Sequence, residues 1–289
     1  MLGRGVIAGA KMSVPMRLAP TISEQDAQLA GEAAALVVET HQRLSGFLRT
    51  GQTLAEIDRF VAATLEDLGC RSCFLGYKVP HSPAFPSHAC LSLNACIVHG
   101  TAGYTTEPVK TGDVLKIDIG VTHKGWIGDA AWTYVFGAPA PEVERLCRCG
   151  KEALRRGIER LRAGEILAGW ADAVQTHVEQ ECGFHLVRGL GGHGYGRRLH
   201  APPFVSNSKA TYPGEWPDAT TVLRPGMLLA VEPMIAAGTG RTSSKRREWP
   251  VFTADGSLSV HYEHDVLVTE DGPRVLTIGL EAITDVIDR

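Results

Sequence analysis

The order of elements runs twice along this chain, and that repetition restricts the fold more than any other feature of the sequence. A helix-compatible stretch from Ser23 to Arg49 has Ser23 as cap, Glu24 and Asp26 near its positive end, and Gly51 as a stop. A second helix fits Leu54 to Leu68, followed by extended runs at Ala89–Ile97, Val114–Val121 and Trp126–Phe136. After Pro141 the order begins again, with helices over Glu142–Leu161 and Leu167–Glu181 and extended runs at Met227–Val231 and Ser259–Val268. Individual residues follow the same order. Arg49, Gly51, Leu54, Ala55, Val61 and Glu66 recur at one offset as Arg162, Gly164, Leu167, Ala168, Val174 and Glu179. Lys110, Gly112 and Leu115 recur as Arg224, Gly226 and Leu229, which places Asp118 on Glu232. The expectation is an α+β fold of two similar halves, about 21–140 and 141–289, sharing one curved, mostly antiparallel sheet with a site where they meet.

The first half builds an acidic pair. Lys116 to Val121 alternates polar and apolar, Thr122-His123-Lys124-Gly125 reads as a tight turn, and Trp126 to Ala130 returns. A hairpin centred between His123 and Lys124 sets Asp118 directly opposite Asp129 on one face. Two carboxylates so placed among apolar neighbours require a shared proton or a cation between them. The alternative is a solvated sheet edge, which the absence of other charges disfavours. In the second half, Glu232 interrupts the apolar run Met227–Pro233, and Glu263 enters an apolar strand. His193 lies among glycines in Gly191-Gly192-His193-Gly194. Four carboxylates and one imidazole suit two divalent ions that activate a shared water. The ligand types accept cobalt, manganese, iron or zinc without choosing among them.

The residues resemble type I methionine aminopeptidases. The resemblance rests on His99-Gly100, on Ile117-Asp118 with Asp129 eleven residues on, and on Gly192-His193-Gly194-x-Gly196 with His200 beyond. It continues in Met227 through Glu232-Pro233-Met234 and in Tyr262-Glu263-His264, and it runs from about Ser23 to the C-terminus. It implies the two-halved "pita-bread" fold in one catalytic domain over 21–289, with helices on the outer face. It also implies roles: Asp118 chelating one metal, Asp129 and Glu263 bridging, His193 and Glu232 on the second metal, and Glu232 shuttling a proton. His99 would contact substrate near the scissile nitrogen and His200 would stabilise the oxyanion. The methionine pocket would involve Phe85, Cys90, Leu199 and Trp249. The substrates implied are nascent polypeptide N-termini, met by a monomer in the cytoplasm. The absence of a long insertion between His200 and Glu232 favours type I over type II. Leu199 in place of a frequent Phe, His261 in place of the usual Gln, and extra residues around Pro80–Pro83 and Tyr212–Ala219 depart from the family pattern.

Composition excludes other classes. The net charge of −3 draws the chain to neither nucleic acid nor an acidic membrane, and no stretch approaches membrane-spanning length. Residues 1–20 read as a flexible extension without a signal-peptide core, and Met12 or Met16 could be the start. The seven cysteines read as free thiols; a zinc site pairing Cys70-x-x-Cys73 with Cys147-x-Cys149 has poor spacing. Gly189-x-Gly191-x-x-Gly194 matches a dinucleotide-binding pattern, but Pro202-Pro203 soon after it argues against the helix that pattern must open. Two rivals keep the fold: an Xaa-Pro aminopeptidase, which usually carries a further N-terminal domain, and a non-catalytic ribosome- or RNA-binding protein, expected to have lost ligands. Lys245-Arg246-Arg247 reads as a solvated loop, with a transient ribosome contact as its functional alternative.

Overall fold

The computed structural model describes residues 20–80 and 82–289; the expected N-terminal extension lies almost wholly outside the described residues. Helix α1 (Glu24–Phe47) starts where the Ser23 side chain accepts the Asp26 N–H, and α2 (Leu54–Asp67) starts with a Thr53/Glu56 capping box. In the second half, α3 covers Pro141–Ile158 and α4 covers Ala168–Gln175. The helix expected over Leu167–Glu181 changes character after Gln175, continuing as a π-helical turn over Thr176–Glu181.

The repeat has a physical basis in matched backbone turns. The first helix ends at Phe47, before the expected stop, and α3 at Ile158; Gly51 and Gly164 form the turns between paired helices with φ of 83° and 87°, and Gly112 and Gly226 turn into the corresponding strands with φ of 93° and 85°. These left-handed positions admit glycine at little steric cost. Their hydrogen bonds match as well. The Gly51 N–H donates to Val109 O at 2.8 Å, as the Gly164 N–H does to Leu223 O at 2.9 Å. The Val109 N–H returns to Gln52 O and the Leu223 N–H to Glu165 O, both at 2.8 Å.

The central strands of the first half are Val114–His123 and Trp126–Phe136, paired antiparallel along their whole length. Cys90–Leu93 adds to the outer side of the former. The turn is Lys124-Gly125, with φ of 48° and 78°, the two positive values a tight two-residue hairpin needs. This corrects the expected register. His123 faces Trp126, so Asp118 opposes Ala131 and Asp129 opposes Gly120. The pairing moves by two residues, and because side chains alternate with a period of two, both acids keep the same face. They are diagonal neighbours rather than directly opposed.

In the second half, Leu228–Val231 pairs with His264–Thr269 and with Gly191–Gly194, which in turn pairs with Ala201–Ser206. The run expected as one strand over Ser259–Val268 is broken at Tyr262-Glu263 into Ser259–His261 and His264–Thr269. A matching break at Glu232-Pro233 separates Leu228–Val231 from Met234–Ala236. At these breaks the halves join. The Glu263 N–H donates to Ala131 O at 2.9 Å, and Thr133 Oγ1 donates to His261 O at 2.7 Å. The result is one curved surface divided, among the described residues, into four hydrogen-bonded sheets, antiparallel throughout except where Val286–Ile287 runs parallel to the end of Trp126–Phe136.

The helices cover the convex side. A Cβ on Gly128 would stand 2.6 Å from the Ala33 backbone of α1, and one on Gly150 of α3 would stand 2.6 Å from the Tyr262 ring. Close helix-to-sheet approach at both points therefore depends on glycine. The concave side is left for side chains near the junction of the halves.

Candidate metal centre and active site

Asp118, Asp129, His193, Glu232 and Glu263, distant in sequence, line one cavity of about 150 Å³. His99, His200, Phe85, Cys90, Leu199 and Trp249 line the same cavity, so every residue singled out from the sequence arrives there. Single donor atoms of Asp129, His193 and Glu263 lie within 4.8 Å of one another, and so do those of Glu232, His261 and Glu263. His193 Nε2 is 3.8 Å from Asp129 Oδ2 and 4.0 Å from Glu232 Oε1.

Local structure explains each placement. Strand alternation aims Asp118 and Asp129 at the cavity. His193 lies on Gly191–Gly194, where Cβ atoms on Gly192 and Gly194 would fall 2.2 Å from Ala230 O and Pro202 O. The glycines admit neighbouring backbone, and the segment is a strand that opens no helix. His193 Nδ1 lies 3.1 Å from Gly194 O and can donate to it, leaving Nε2 unprotonated toward the acids. Glu232 and Glu263 occupy the strand breaks, where regular alternation is suspended. His99 holds a positive φ of 58°, and Gly100 after it has no room for a Cβ, which would stand 2.1 Å from Leu91 O.

The electrostatics call for protons on these acids or a cation between them. Burial, with Glu232 adding to it, lifts Asp118 to about 7, and burial lifts Glu232 to about 8. Burial, together with neighbouring carboxyls, drives Asp129 and Glu263 well above the ordinary carboxylate range. Burial lowers His193 to about 3 and His99 and His261 to about 4. No lysine or arginine lines the cavity among the described residues. Asp118 Oδ1 and Asp129 Oδ1 are buried without a hydrogen-bond partner. Buried acceptor oxygens left orphaned beside neutral imidazoles are the donor set a hard or borderline divalent cation takes.

Three residues enlarge the site beyond the sequence reading. His261 Nε2 lies 3.0 Å from Glu232 Oε2. Its place two residues before Glu263 was visible as a departure from the family pattern, but its contact with Glu232 was not. Asp265 is fully buried and accepts the Asp129 N–H at 2.8 Å, fixing the strand that carries Asp129. Its signal was strand alternation, which puts it two residues beyond Glu263. Tyr77 Oη lies 2.6 Å from His200 Nδ1, a contact between distant loops with no sequence signal. His264 packs against Trp132 and bonds Thr277 Oγ1 at 2.9 Å, off the cavity, as alternation implies.

One side of the cavity is apolar. Phe85 meets Trp249 edge-on at 5.2 Å and Phe74 at 6.3 Å, and the Trp249 indole N–H is tied to Pro83 O at 3.1 Å. Cys90, the strand partner of Asp118, puts a small soft side chain between this wall and the acids.

Comparison with known proteins gives these features a family. Residues 28–270 match metallopeptidase family M24. Methionine aminopeptidase 1 of Mycobacterium tuberculosis is 35% identical over 91% of this chain and 96% of its own. The crystal structure of methionine aminopeptidase from Rickettsia prowazekii superposes with a TM-score of 0.82 at 31% identity, over 90% of this chain and all (100%) of that one. An Xaa-Pro dipeptidase from Bacillus anthracis shares the fold at a TM-score of 0.68 and 20% identity, but only 61% of that chain is covered. With this likeness extending over nearly its whole length, the chain belongs to metallopeptidase family M24, on the methionine aminopeptidase branch of the pita-bread fold.

Proposed function

We infer that the protein is a metalloaminopeptidase that removes methionine from the N-termini of nascent polypeptides, with residues 21–289 acting as one catalytic unit in the cytoplasm. The observation that carries this reading is the convergence of five ligand-type side chains beside an apolar, aromatic-walled cavity that contains no cationic side chain. Asp118, Asp129 and Glu263 would hold one divalent ion, and Asp129, His193, Glu232 and Glu263 a second. When bound, such ions lower the pKa of water toward neutrality and polarise a carbonyl.

The remaining chemistry belongs to the chain's own groups. His99 and His200, kept neutral because burial lowers their pKa, offer hydrogen bonds without adding charge. His200 would stabilise negative charge developing on the carbonyl oxygen, with its ring oriented by Tyr77. His99 would bind near the scissile nitrogen. Glu232 would carry a proton to the leaving amine. His261 would fix the orientation of Glu232. Phe85, Cys90, Leu199 and Trp249 would receive the methionine side chain, which is unbranched and flexible enough to fill an irregular apolar space.

No helix among the described residues is long and apolar enough to cross a membrane. The Lys245-Arg246-Arg247 loop is exposed and would be the place for a transient ribosome contact by a monomer. Loss of all ribosome association on reversing these charges would support it, and unchanged association would remove it.

The decisive experiment strips the metal and assays Met-Ala and Met-Lys peptides with manganese, iron, cobalt or zinc restored singly. Methionine release from the small-residue peptide is expected. Failure with every metal on either peptide would contradict the reading, and preferential cleavage before proline would favour the Xaa-Pro alternative.

A further inference from the structure

We propose a second metal site on the outer helical layer, formed by Cys149, His177 and Cys182, that takes a thiophilic divalent ion such as zinc. One donor atom from each of these residues lies within 4.8 Å of the others. Cys149 comes from α3, and His177 and Cys182 come from the π-helical turn and the residue that ends it. None of the three lines the catalytic cavity. Cys149 and His177 are buried, and Cys182 is half-buried at the edge of a separate cleft of about 390 Å³.

The π-helical turn brings the pair together. The Cys182 N–H donates to His177 O at 3.0 Å, closing a turn one residue wider than an α-helical one. In a regular α-helix, residues five apart diverge in direction; here His177 Nε2 is 3.4 Å from Cys182 Sγ. The histidine is also prepared as a ligand. His177 Nδ1 lies 2.9 Å from Glu181 Oε2, and Arg156 Nη1 holds the same carboxylate at 2.7 Å. A carboxylate on Nδ1–H leaves Nε2 as an acceptor, the arrangement that supports metal-bound histidines. Two thiolates and a neutral imidazole offset the 2+ charge of the ion, with two thiol protons released on binding. A fourth tetrahedral position remains for water from the cleft. The site would clamp α3 to the end of the α4 segment. It shares only Cys149 with the zinc pairing that the sequence reading set aside in favour of free thiols.

The test uses reduced full-length protein titrated with cobalt(II) and then zinc(II). The aminopeptidase ligands are oxygens and an imidazole, so a thiolate-to-cobalt charge-transfer band reports on cysteine coordination and is read independently of peptide cleavage. The expected result is a band saturating at one equivalent per chain at this site. Cys149→Ser and Cys182→Ser should abolish it, and His177→Gln should weaken it, with methionine release unchanged in all three. Absence of the band in the wild type, or its persistence in both serine variants, would overturn the proposal. A measurement on the unmodified protein covers the case in which a variant misfolds. Zinc should suppress alkylation of Cys182, located by mass spectrometry, and leave labelling of Cys70 unchanged. Equal labelling of Cys182 with and without zinc would also refute the site.

Discussion

The two halves deliver acids to the same cavity by different means. In the first half, Asp118 and Asp129 belong to an unbroken hairpin, and the alternation of an ordinary strand is enough to point both inward. In the second, Glu232 and Glu263 stand where the strands are interrupted, before Pro233 and after Tyr262. A regular ladder can present acids only at alternate positions of one face. Suspending it at two breaks lets Glu232 and Glu263 meet the hairpin from the opposite side, and the Glu263 N–H secures the junction by bonding Ala131 O at 2.9 Å.

If both halves supply metal ligands, Asp129→Asn and Glu263→Gln should each reduce kcat/KM by more than about 100-fold, because changes to mere supporting residues already cost about 10–100-fold. A variant from either half that retained full activity and metal content would show that half to be only scaffold.

The metal-free protein should sharpen the comparison through pH. Asp118 and Glu232 rise from 3.8 and 4.5 to about 7 and 8 on burial, one from each half. The folded apoprotein thus keeps protons that the unfolded chain releases. The contribution of these two carboxyls is fully present below about pH 4 and is lost as pH rises through 7 and 8, by on the order of 1 kcal/mol per pH unit per proton. Denaturant midpoints between about pH 7 and 9, above the ordinary histidine range, should fall for the apoprotein, and Asp118→Asn or Glu232→Gln should each flatten the slope. A midpoint that rises with pH would contradict the charge balance drawn for the cavity.

His261→Ala should lower metal affinity or activity by about 10–100-fold, with His261→Gln retaining more, since glutamine can still hold Glu232. Equal values for the two variants would assign His261 a packing role. Gly192→Ala, whose Cβ would meet Ala230 O at 2.2 Å, should cost roughly 1–3 kcal/mol and depress activity by displacing His193. The smallest effect should come from the hairpin tip. Gly125→Ala, at φ 78°, should cost about 1 kcal/mol with little change in kcat, measured by urea unfolding and initial rates.

How much of this was legible in the sequence varies with the range of the interaction. The α1 and α2 starts, the strand Trp126–Phe136 and the glycine turns between paired helices follow from local chemistry that neighbouring residues determine. The hairpin was legible in its faces but not its register. The turn Lys124-Gly125 and the equally short turn expected at His123-Lys124 differ by two residues of pairing, and alternation is blind to that shift. The break at Tyr262-Glu263 was hidden because no glycine or proline marks it within Ser259–Val268. The contacts of His261 with Glu232, Tyr77 with His200, and His177 with Cys182 were also hidden. The first two depend on where separate segments meet, and the third on a helical turn widening by one residue.

The sequence by itself determined the repeated order of helices and strands, the apolar surroundings of four acids, and the residue types that a divalent cation requires. Only the tertiary structure decided that these acids share one cavity, which oxygens lack partners, and which neutral side chains hold them in position. The physical reason is that turns and caps are governed by the few residues that form them. Convergence of distant carboxylates is set by how two curved half-sheets join, at strand breaks stabilised by bonds such as that between Glu263 and Ala131.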